Sequence, residues 1–406
     1  MTTDTFIAAC AKDRTQTDSL KWDLVDQRFG GKDLLPLWVA DMDFAVPEAA
    51  TEALHRRVEQ GAFGYSIVPA DYAAAYQGWQ ARHWQTQVDE TWLRFSTGVV
   101  QSLYDLLHCF TKVGDAILIQ PPVYYPFFDS IKDTKRRIIE APLQKIDDTY
   151  RIDFAAFERK IQTEAVKLFL FCSPHNPAGR VWRFDEVQRL LAICQKYHVL
   201  VIADEIHADL ILPGNQFVSA VTVAESIGFQ DLIIVNSPSK TFNLAGLLLS
   251  HVWLPSEELR DRYDAWASQY KQTEVNIFGL TAAKAAYQHG DQWLAEVLTV
   301  IQENADYIAQ RLQLEVPEAR IAPLEGTYLL WIDLSSLEVP NLKTVVQDSA
   351  GLAVDYGAWF SQDYDGFIRL NLATTPTIIE TALDRLIEAI NTYKAQQHFE
   401  EDTHDN

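Results

Sequence analysis

The chain has 406 residues, of which 34 are lysine or arginine and 56 are aspartate or glutamate, so its net charge is −22. Such an acidic surface repels nucleic-acid phosphates and anionic membranes, and neither is expected as a partner. The length predicts two or three structural units, and a hydrophobic content of 48% indicates a large core rather than a disordered chain.

The N-terminus lacks a basic region followed by an apolar stretch, so no signal peptide is expected, and no apolar run approaches the roughly 18 residues of a membrane span. The four cysteines, Cys10, Cys109, Cys172 and Cys194, have no metal-type spacing. They predict a reduced, cytoplasmic protein without a metal site. Residues 1–48 show turn chemistry and little periodicity, and we expect them to pack against the C-terminal unit.

The middle of the chain, residues 49–285, alternates short apolar runs with amphipathic helical patterns. Continuous apolar runs of four or five residues are typical of strands buried on both faces of a mostly parallel sheet. The pattern therefore predicts a large doubly wound α/β domain. The predicted strands are 116–119, 167–171, 199–203, 232–235 and 251–254.

The C-terminal part begins with a helical pattern over about 257–314 and continues with short strands and one more helix. These elements predict a smaller α+β domain over residues 286–394, followed by a frayed acidic tail at 395–406. The predicted elements are strands at 327–334, 351–356 and 366–372 and a helix at 376–394.

Lys240 follows the apolar run 232–235 and lies within Ser237-Pro-Ser-Lys-Thr-Phe-Asn. A lysine at the end of a buried strand readily loses its proton, because burial disfavours the charged amine. A neutral amine can form a covalent bond with an aldehyde, while Ser237 and Ser239 can hold a phosphate. Aldehyde and phosphate together describe pyridoxal 5′-phosphate (PLP). A surface lysine in a loop is the simpler interpretation of this motif alone.

Other polar residues follow further predicted strands, at the sheet edge where open α/β folds bind ligands. Asp204, directly after residue 203, can keep the pyridine nitrogen of PLP protonated or can simply cap a helix. His207 lies three residues later, on the same helical face, and can reach the phenolic oxygen or be structural. Asn176 can donate its amide to that oxygen or can serve only in an Asn-Pro turn.

Three further features complete the candidate site. The free backbone N–H groups of Val99 and Val100 open a predicted helix and would attract a phosphate. Tyr124, in Pro121-Pro-Val-Tyr-Tyr-Pro, can stack on the cofactor ring or be an ordinary turn aromatic. Arg369 lies inside an apolar strand, which requires a partner such as a substrate α-carboxylate or an internal salt bridge.

Taken together, these motifs resemble the class I/II aminotransferase family of fold-type I PLP-dependent enzymes, in order and over residues 22–373. The resemblance implies a large domain with a seven-stranded sheet between helices. It also implies that Lys240 carries the cofactor and acts in catalysis with Tyr124, which stacks on the ring. The implied cofactor contacts are Asp204 with the pyridine nitrogen and Asn176 with the phenolic oxygen. Arg369 is implied to bind the substrate carboxylate, and Asn176 also to contact the substrate.

The resemblance also implies a homodimer, in which Tyr65 of Phe63-Gly-Tyr-Ser reaches the cofactor phosphate across the interface. Closer detail resembles the cystathionine β-lyase, or C–S lyase, branch, as in Trp38-Val-Ala-Asp-Met-Asp-Phe. Two departures from ordinary aminotransferases agree with this branch: His207 replaces a tyrosine, and Leu248 replaces a phosphate-binding arginine. The phosphate then depends more on the two serines, Tyr65 and the start of the helix at Val99.

The expected function is therefore PLP-dependent cleavage of cystathionine or a related S-substituted cysteine to a thiol, pyruvate and ammonia. A class I/II aminotransferase with the same site is the alternative. A non-catalytic ligand-binding or regulatory protein on this scaffold is a third hypothesis, which the joint presence of Lys240, Asp204, Asn176 and Arg369 disfavours. The residues alone do not reveal which thiol leaves.

Overall fold

A computed structural model describes residues 3–31 and 33–404. The strands are β1 Leu35–Pro36, β2 Leu93–Ser96, β3 Ala116–Ile119, β4 Arg137–Glu140, β5 Gln144–Ile146, β6 Thr149–Arg151, β7 Val166–Cys172, β8 Leu200–Asp204, β9 Leu232–Asn236, β10 Ser250–Trp253, β11 Arg320–Ile321, β12 Leu329–Asp333, β13 Leu352–Ala353, β14 Asp355–Tyr356 and β15 Phe367–Asn371.

The α-helices are α1 Thr3–Cys10, α2 Leu20–Asp23, α3 Val25–Phe29, α4 Glu48–Glu59, α5 Tyr72–Trp84, α6 Val99–Phe110, α7 Tyr125–Asp133, α8 Phe154–Glu164, α9 Phe184–Tyr197, α10 Ala220–Ile227, α11 Pro238–Thr241, α12 Glu257–Tyr270, α13 Ile277–His289, α14 Asp291–Glu315 and α15 Pro376–His404. Short 3₁₀ turns occur at Glu90–Trp92, Ala245–Leu247, Ser335–Leu337, Gly357–Trp359 and Gln362–Tyr364, and a π-helix at Thr344–Ser349.

The central sheet has seven strands in the order β2-β10-β9-β8-β7-β3-β4. All neighbours are parallel except β10, which runs antiparallel to β2 and β9. The inner strands are almost entirely buried, as continuous apolar runs between two helical layers require. The predicted α/β fold with a mostly parallel sheet is confirmed. Sequence reasoning missed the edge strands β2 and β4, because Arg94 and Arg137 interrupt their apolar pattern.

A second, antiparallel sheet has the order β11-β12-β15-β14. The predicted helical stretch before it is three helices, α12, α13 and α14. The first break occurs because Lys271 adopts a left-handed conformation after α12 and the Asn276 side chain caps α13. The final helix continues past its predicted end to His404. Residues 405 and 406 lie outside the described part, and the predicted acidic tail at 395–406 stays a prediction.

The N-terminal segment contacts the second sheet and the site region together. Strand β1 pairs in parallel with β13, and Asn371 at the end of β15 donates its amide to the carbonyls of Val39 and Asp41. The fully buried Lys21 pairs with Asp43 at 2.6 Å. The predicted packing of this segment with the C-terminal unit and the predicted domain boundaries stay predictions.

Within residues 3–31 and 33–404, no helix is long and apolar enough to cross a membrane. In the same ranges, no group of three or more His, Cys, Asp or Glu side chains is arranged to hold a metal ion. The parallel register of the central sheet brings Cys172 of β7 opposite Asp204 of β8, and Asp204 opposite Val235 of β9. The segments that follow these strands therefore meet at one edge of the sheet.

Candidate active site

A cavity of about 170 Å³ lies at this edge, between the ends of β7, β8 and β9 and the start of α6. A wider cleft of about 440 Å³ beside Asp209 and Asp291 contains neither Lys240 nor Asp204, so size does not identify the site. The smaller cavity is lined by Ala40, Thr97, Gly98, Val99, Val100, Tyr124, Cys172, Asn176, Asp204, Ile206, His207, Ser239, Lys240, Ala245 and Leu249. It thus brings together eight of the eleven candidate residues.

Lys240 projects from α11, a single helical turn that begins directly after β9. Ser237 caps this turn by accepting a hydrogen bond from the Ser239 backbone at 3.0 Å. The half-buried Lys240 amine donates to the carbonyl of Ala40 at 2.6 Å. Burial lowers the pKa of Lys240 to about 8, although the neighbouring Asp41 carboxylate partly offsets that effect. About a tenth of this amine is therefore neutral and nucleophilic at pH 7, far more than for an ordinary lysine.

Asp204 ends β8 and is buried at the cavity wall. Its Oδ1 accepts a hydrogen bond from the backbone of Ile206 at 3.1 Å. Burial raises the pKa of Asp204 to about 7, and that hydrogen bond and the positive charge of Lys240 only partly oppose the rise. The ionised form of a buried carboxyl of this kind would be stabilised by a cationic N–H group of a ligand.

His207 follows in a turn rather than in a helix, which corrects the expectation of a shared helical face with Asp204. The side chain is buried, and its Nδ1 has no hydrogen-bond partner among the described residues. Burial holds the pKa of His207 well below its usual range, and the positive charge of Lys240 lowers it further. The imidazole is therefore neutral and keeps hydrogen-bonding capacity for a ligand.

Asn176 and Tyr124 form the opposite wall of the cavity. The backbone N–H of Tyr124 donates to the carbonyl of Asn176 at 3.1 Å, which joins the two loops. The carboxamide oxygen of Asn176 accepts from Arg369 at 2.7 Å, so the carboxamide nitrogen is the part left for a ligand. Burial raises the pKa of the Tyr124 hydroxyl, which therefore stays protonated.

The start of α6 forms the end of the cavity that suits an anion. Gly98 caps this helix without a side chain, and the first helical hydrogen bond at this end runs from Ser102 N–H to the Gly98 carbonyl at 2.9 Å. The N–H groups of Val99 and Val100 are consequently left for an anion at the positive end of a twelve-residue helix. Ser239 contributes a hydroxyl group to the same cavity.

Three of the candidate residues do not line the cavity. Ser237 is buried and donates its hydroxyl to the carbonyl of Leu249 at 2.7 Å, so it supports the turn that carries Ser239. Tyr65 is fully exposed. Arg369 is buried behind Asn176 and forms an ion pair with Asp355, which is the internal salt bridge considered as the alternative partner.

Sequence reasoning missed several contributors to the site. The carbonyl of Ala40 holds the lysine amine, and a backbone group carries no residue-specific pattern. Cys172, Ile206, Ala245 and Leu249 supply apolar walls that resemble any core position in a sequence. Asp355 lies within the predicted strand 351–356, but only the pairing of β14 with β15 brings it opposite Arg369.

The chemistry of these groups fits PLP. An amine of lowered pKa faces the same cavity as a helix N-terminus and a serine hydroxyl, which suit the aldehyde and the phosphate. The buried Asp204 suits a pyridinium nitrogen, and the unsatisfied His207 suits a polar substituent of the ring. All of these groups are side chains or backbone groups of this chain.

Comparison with known proteins agrees with this fit. The family described as aminotransferase class I and II matches residues 32–386. Cystathionine beta-lyase PatB of Bacillus subtilis (strain 168) is 35% identical over 383 residues, which cover 94% of this chain and 98% of that protein. The crystal structure of cystalysin from Treponema denticola, which contains a PLP cofactor, has a TM-score of 0.90 and 33% identity, covering 94% of this chain and 98% of its own.

A further solved structure, the PLP-bound C–S lyase from Staphylococcus hominis, has a TM-score of 0.88 and 29% identity. It covers 93% of this chain and 96% of its own. The similarity extends over both sheets and includes the whole cavity. The chain therefore belongs to the class I and II aminotransferase family, as the resemblance of its motifs predicted.

Proposed function

We propose that this protein is a PLP-dependent carbon–sulfur β-lyase. It cleaves cystathionine or a related S-substituted cysteine to a thiol, pyruvate and ammonia. The observation that carries the proposal is the cavity that joins the partly neutral Lys240 amine to the buried Asp204 carboxyl. The similarity to cystathionine β-lyase and C–S lyase relatives, at 35% and 29% identity, supports the same branch as the sequence motifs.

PLP, when bound, supplies an electron sink for the carbanion that forms at the substrate α-carbon. Lys240 would hold the cofactor covalently and, once its amine is free, would move the α-proton. The Ala40 carbonyl, at 2.6 Å, is placed to hold that free amine. Asp204 would keep a proton on the pyridine nitrogen, because an adjacent carboxylate stabilises the cationic form.

The remaining residues would bind and orient. Val99, Val100 and Ser239 would hold the phosphate, and Ser237 would act on it through the turn that it caps. His207 and Asn176 would face the phenolic oxygen, and Tyr124 would stack on the ring. Arg369 would bind the substrate α-carboxylate with help from Asn176, which already contacts it.

A class I/II aminotransferase is the second candidate, because the matching family carries that description over residues 32–386. The same residues serve both reactions up to removal of the α-proton. The two reactions then differ in whether the bond from the β-carbon to sulfur breaks. Thiol release separates them, since a transferase leaves the sulfur on the product.

The direct assay is thiol and pyruvate formation from cystathionine, cystine and S-methylcysteine by the PLP-loaded protein. We expect stoichiometric thiol and pyruvate from at least one of the three. A protein that binds PLP but releases no thiol from any of them would contradict the proposal. The matched control is Lys132→Ala, which removes an exposed lysine outside the cavity.

We also propose a homodimer in which Tyr65 of the partner subunit completes the phosphate site. The segment between α4 and α5 exposes apolar side chains, with Phe63 at 57%, Tyr65 at 100% and Ile67 at 84%. Leu248 is 53% exposed beside the cavity. Such exposed apolar groups are typical of an interface, and a two-fold dimer is the commonest assembly.

A complementation experiment tests this shared site. Inactive Tyr65→Ala and Lys240→Ala subunits are mixed and allowed to exchange. One site of each mixed dimer regains both residues, so activity should return, up to about half of the wild-type sites by symmetry. No recovery despite proven exchange would mean that Tyr65 does not act across an interface.

We propose a cytoplasmic location as well. The four cysteines are all free in the described structure, and three of them are buried. Free thiols of this kind are typical of reducing compartments. Fractionation of the native host cells, with a cytoplasmic marker enzyme measured in parallel, tests the location, and recovery outside the marker's fraction would contradict it.

A further inference from the structure

Arg369 forms an ion pair with a carboxylate on the neighbouring strand. Asp355 on β14 is the direct cross-strand partner of Arg369 on β15 in an antiparallel pair. The Nη2 of Arg369 donates to Asp355 Oδ2, while Nη1 donates to Asn176 Oδ1 at 2.7 Å. Both members of the ion pair are buried, with exposed fractions of 2% and 1%. The positive charge that would attract a substrate carboxylate is therefore already balanced.

The position of the guanidinium agrees with this balance. Arg369 does not line the cavity, whereas Asn176, which it contacts, does. The Cζ of Arg369 also lies over the ring of Phe360, 4.8 Å from the ring centroid. The Oδ1 of Asp355 has no hydrogen-bond partner among the described residues, so this buried carboxylate depends on Arg369 for its stabilisation. A ligand carboxylate must share the guanidinium with Asp355.

We infer that Asp355 is a specificity-determining residue that weakens the binding of ligand carboxylates at Arg369. This inference rests on the proposed function, in which Arg369 receives the substrate α-carboxylate. Two carboxylates on one buried guanidinium repel each other, and like charges in contact reduce affinity strongly. Ligands that have a carboxylate but no α-amino group consequently bind weakly, because they cannot also react through the amine.

This selectivity suits elimination better than transamination. A transferase must bind a 2-oxo acid through its carboxylate to complete its cycle, whereas a lyase must release pyruvate. Asp355 therefore weakens the binding both of the 2-oxo acid that a transferase needs and of the pyruvate that a lyase releases. The residue acts through Arg369 and touches none of the reacting atoms.

Titration calorimetry on the PLP-loaded protein tests the inference with two analogues of S-methylcysteine. The first, 3-(methylthio)propanoate, keeps the carboxylate and lacks the amine. The second, 2-(methylthio)ethylamine, keeps the amine and lacks the carboxylate. In Asp355→Asn, the dissociation constant of the first analogue should fall by about tenfold or more, because the repulsion is removed. That of the second should stay within about twofold.

Two further uncharged replacements, one at Asp355 and one at Asp363, sharpen the test. Asp355→Ser should reproduce the gain and serves if the asparagine variant folds poorly; thermal unfolding and bound-cofactor absorbance report folding in each case. Asp363→Asn removes one exposed carboxylate from the same region and should leave both constants unchanged. An unchanged or higher constant for 3-(methylthio)propanoate in both folded Asp355 variants would overturn the inference, since Asp355 would then merely orient Arg369.

The underlying assignment is tested separately. Arg369→Met should abolish measurable binding of 3-(methylthio)propanoate if Arg369 is the carboxylate site. Equal binding by wild type and Arg369→Met would refute that assignment. Failure of the lyase proposal itself would appear in the thiol assay, which does not depend on either titration.

Discussion

The buried carboxyl of Asp204 should lower the free energy of unfolding of the cofactor-free protein when it is ionised. Replacement by asparagine keeps the shape and the hydrogen bond from Ile206 but removes the charge. Burial raises the pKa of Asp204 to about 7 from an ordinary 3.8. At about 1.36 kcal/mol per pKa unit, this difference corresponds to on the order of 4 kcal/mol of destabilisation by the ionised group.

Proton binding by Asp204 in the folded and unfolded chains determines how stability changes with pH. Below about pH 4 the carboxyl is protonated in both the folded and the unfolded chain and costs nothing. Between about pH 4 and pH 7 the unfolded chain releases this proton while the folded chain keeps it, so stability falls with rising pH. Above about pH 7 the full cost is present. Asp204→Asn should therefore match wild type near pH 4 and exceed it by a few kcal/mol at pH 8.

Urea unfolding of both proteins without PLP, at pH 4, 6 and 8, measures this difference. Another buried acid, Asp209, titrates in both proteins and cancels in the comparison. The negative charge of Asp204 also raises the pKa of Glu205, so the loss of that charge adds to the difference in the same direction. Glu225→Gln, which removes an exposed charge from α10, is the control and should show no comparable trend. A pH-independent difference between Asp204→Asn and wild type would refute the reasoning. With PLP and substrate, the same variant should lose turnover by about 10²-fold or more.

Three other predictions concern Lys240, which lines the cavity, and Arg369, which lies behind it. Lys240→Ala should lose the visible absorbance of covalently bound cofactor and reduce turnover by about 10³-fold or more, with Lys132→Ala unaffected; wild-type turnover in Lys240→Ala would remove the basis of the proposal. In the cofactor-free protein, amine acylation followed by mass spectrometry should give a pH midpoint of about 8 for Lys240, against 10.5 for an ordinary lysine; a midpoint near 10 would mean that the amine is not desolvated. Arg369→Lys keeps the charge but loses the planar fork, so the KM of the amino-acid substrate should rise by about 10- to 100-fold with a smaller change in kcat; equal reaction of decarboxylated analogues in wild type would contradict this role.

The sequence predicts the central sheet well because buried parallel strands carry an unmistakable apolar pattern. The core strands β3 and β7 to β10 were all expected, and the ligand edge followed from the rule for open α/β sheets. The sequence therefore predicts one cavity for residues at or shortly after the ends of those strands, such as Asn176, Asp204 and Lys240. Their proximity is a consequence of parallel topology.

The remaining contributors depend on tertiary contacts that no local pattern encodes. Asp355 meets Arg369 only through the pairing of two short segments, and the Ala40 carbonyl reaches Lys240 from a distant part of the chain. Ser237 matched a phosphate-binding motif, but in the fold its hydroxyl caps the turn and donates to the carbonyl of Leu249. Tyr65 is a surface residue in one chain, so its predicted role requires a second copy.

The most direct test of the central claim is multiple turnover of an S-substituted cysteine without any 2-oxo acid acceptor. The PLP-loaded protein should release thiol, pyruvate and ammonia in equal amounts, far beyond one equivalent per site. Conversion that stops at one equivalent per site, with the sulfur retained on the keto acid product, would contradict the account and identify an aminotransferase instead.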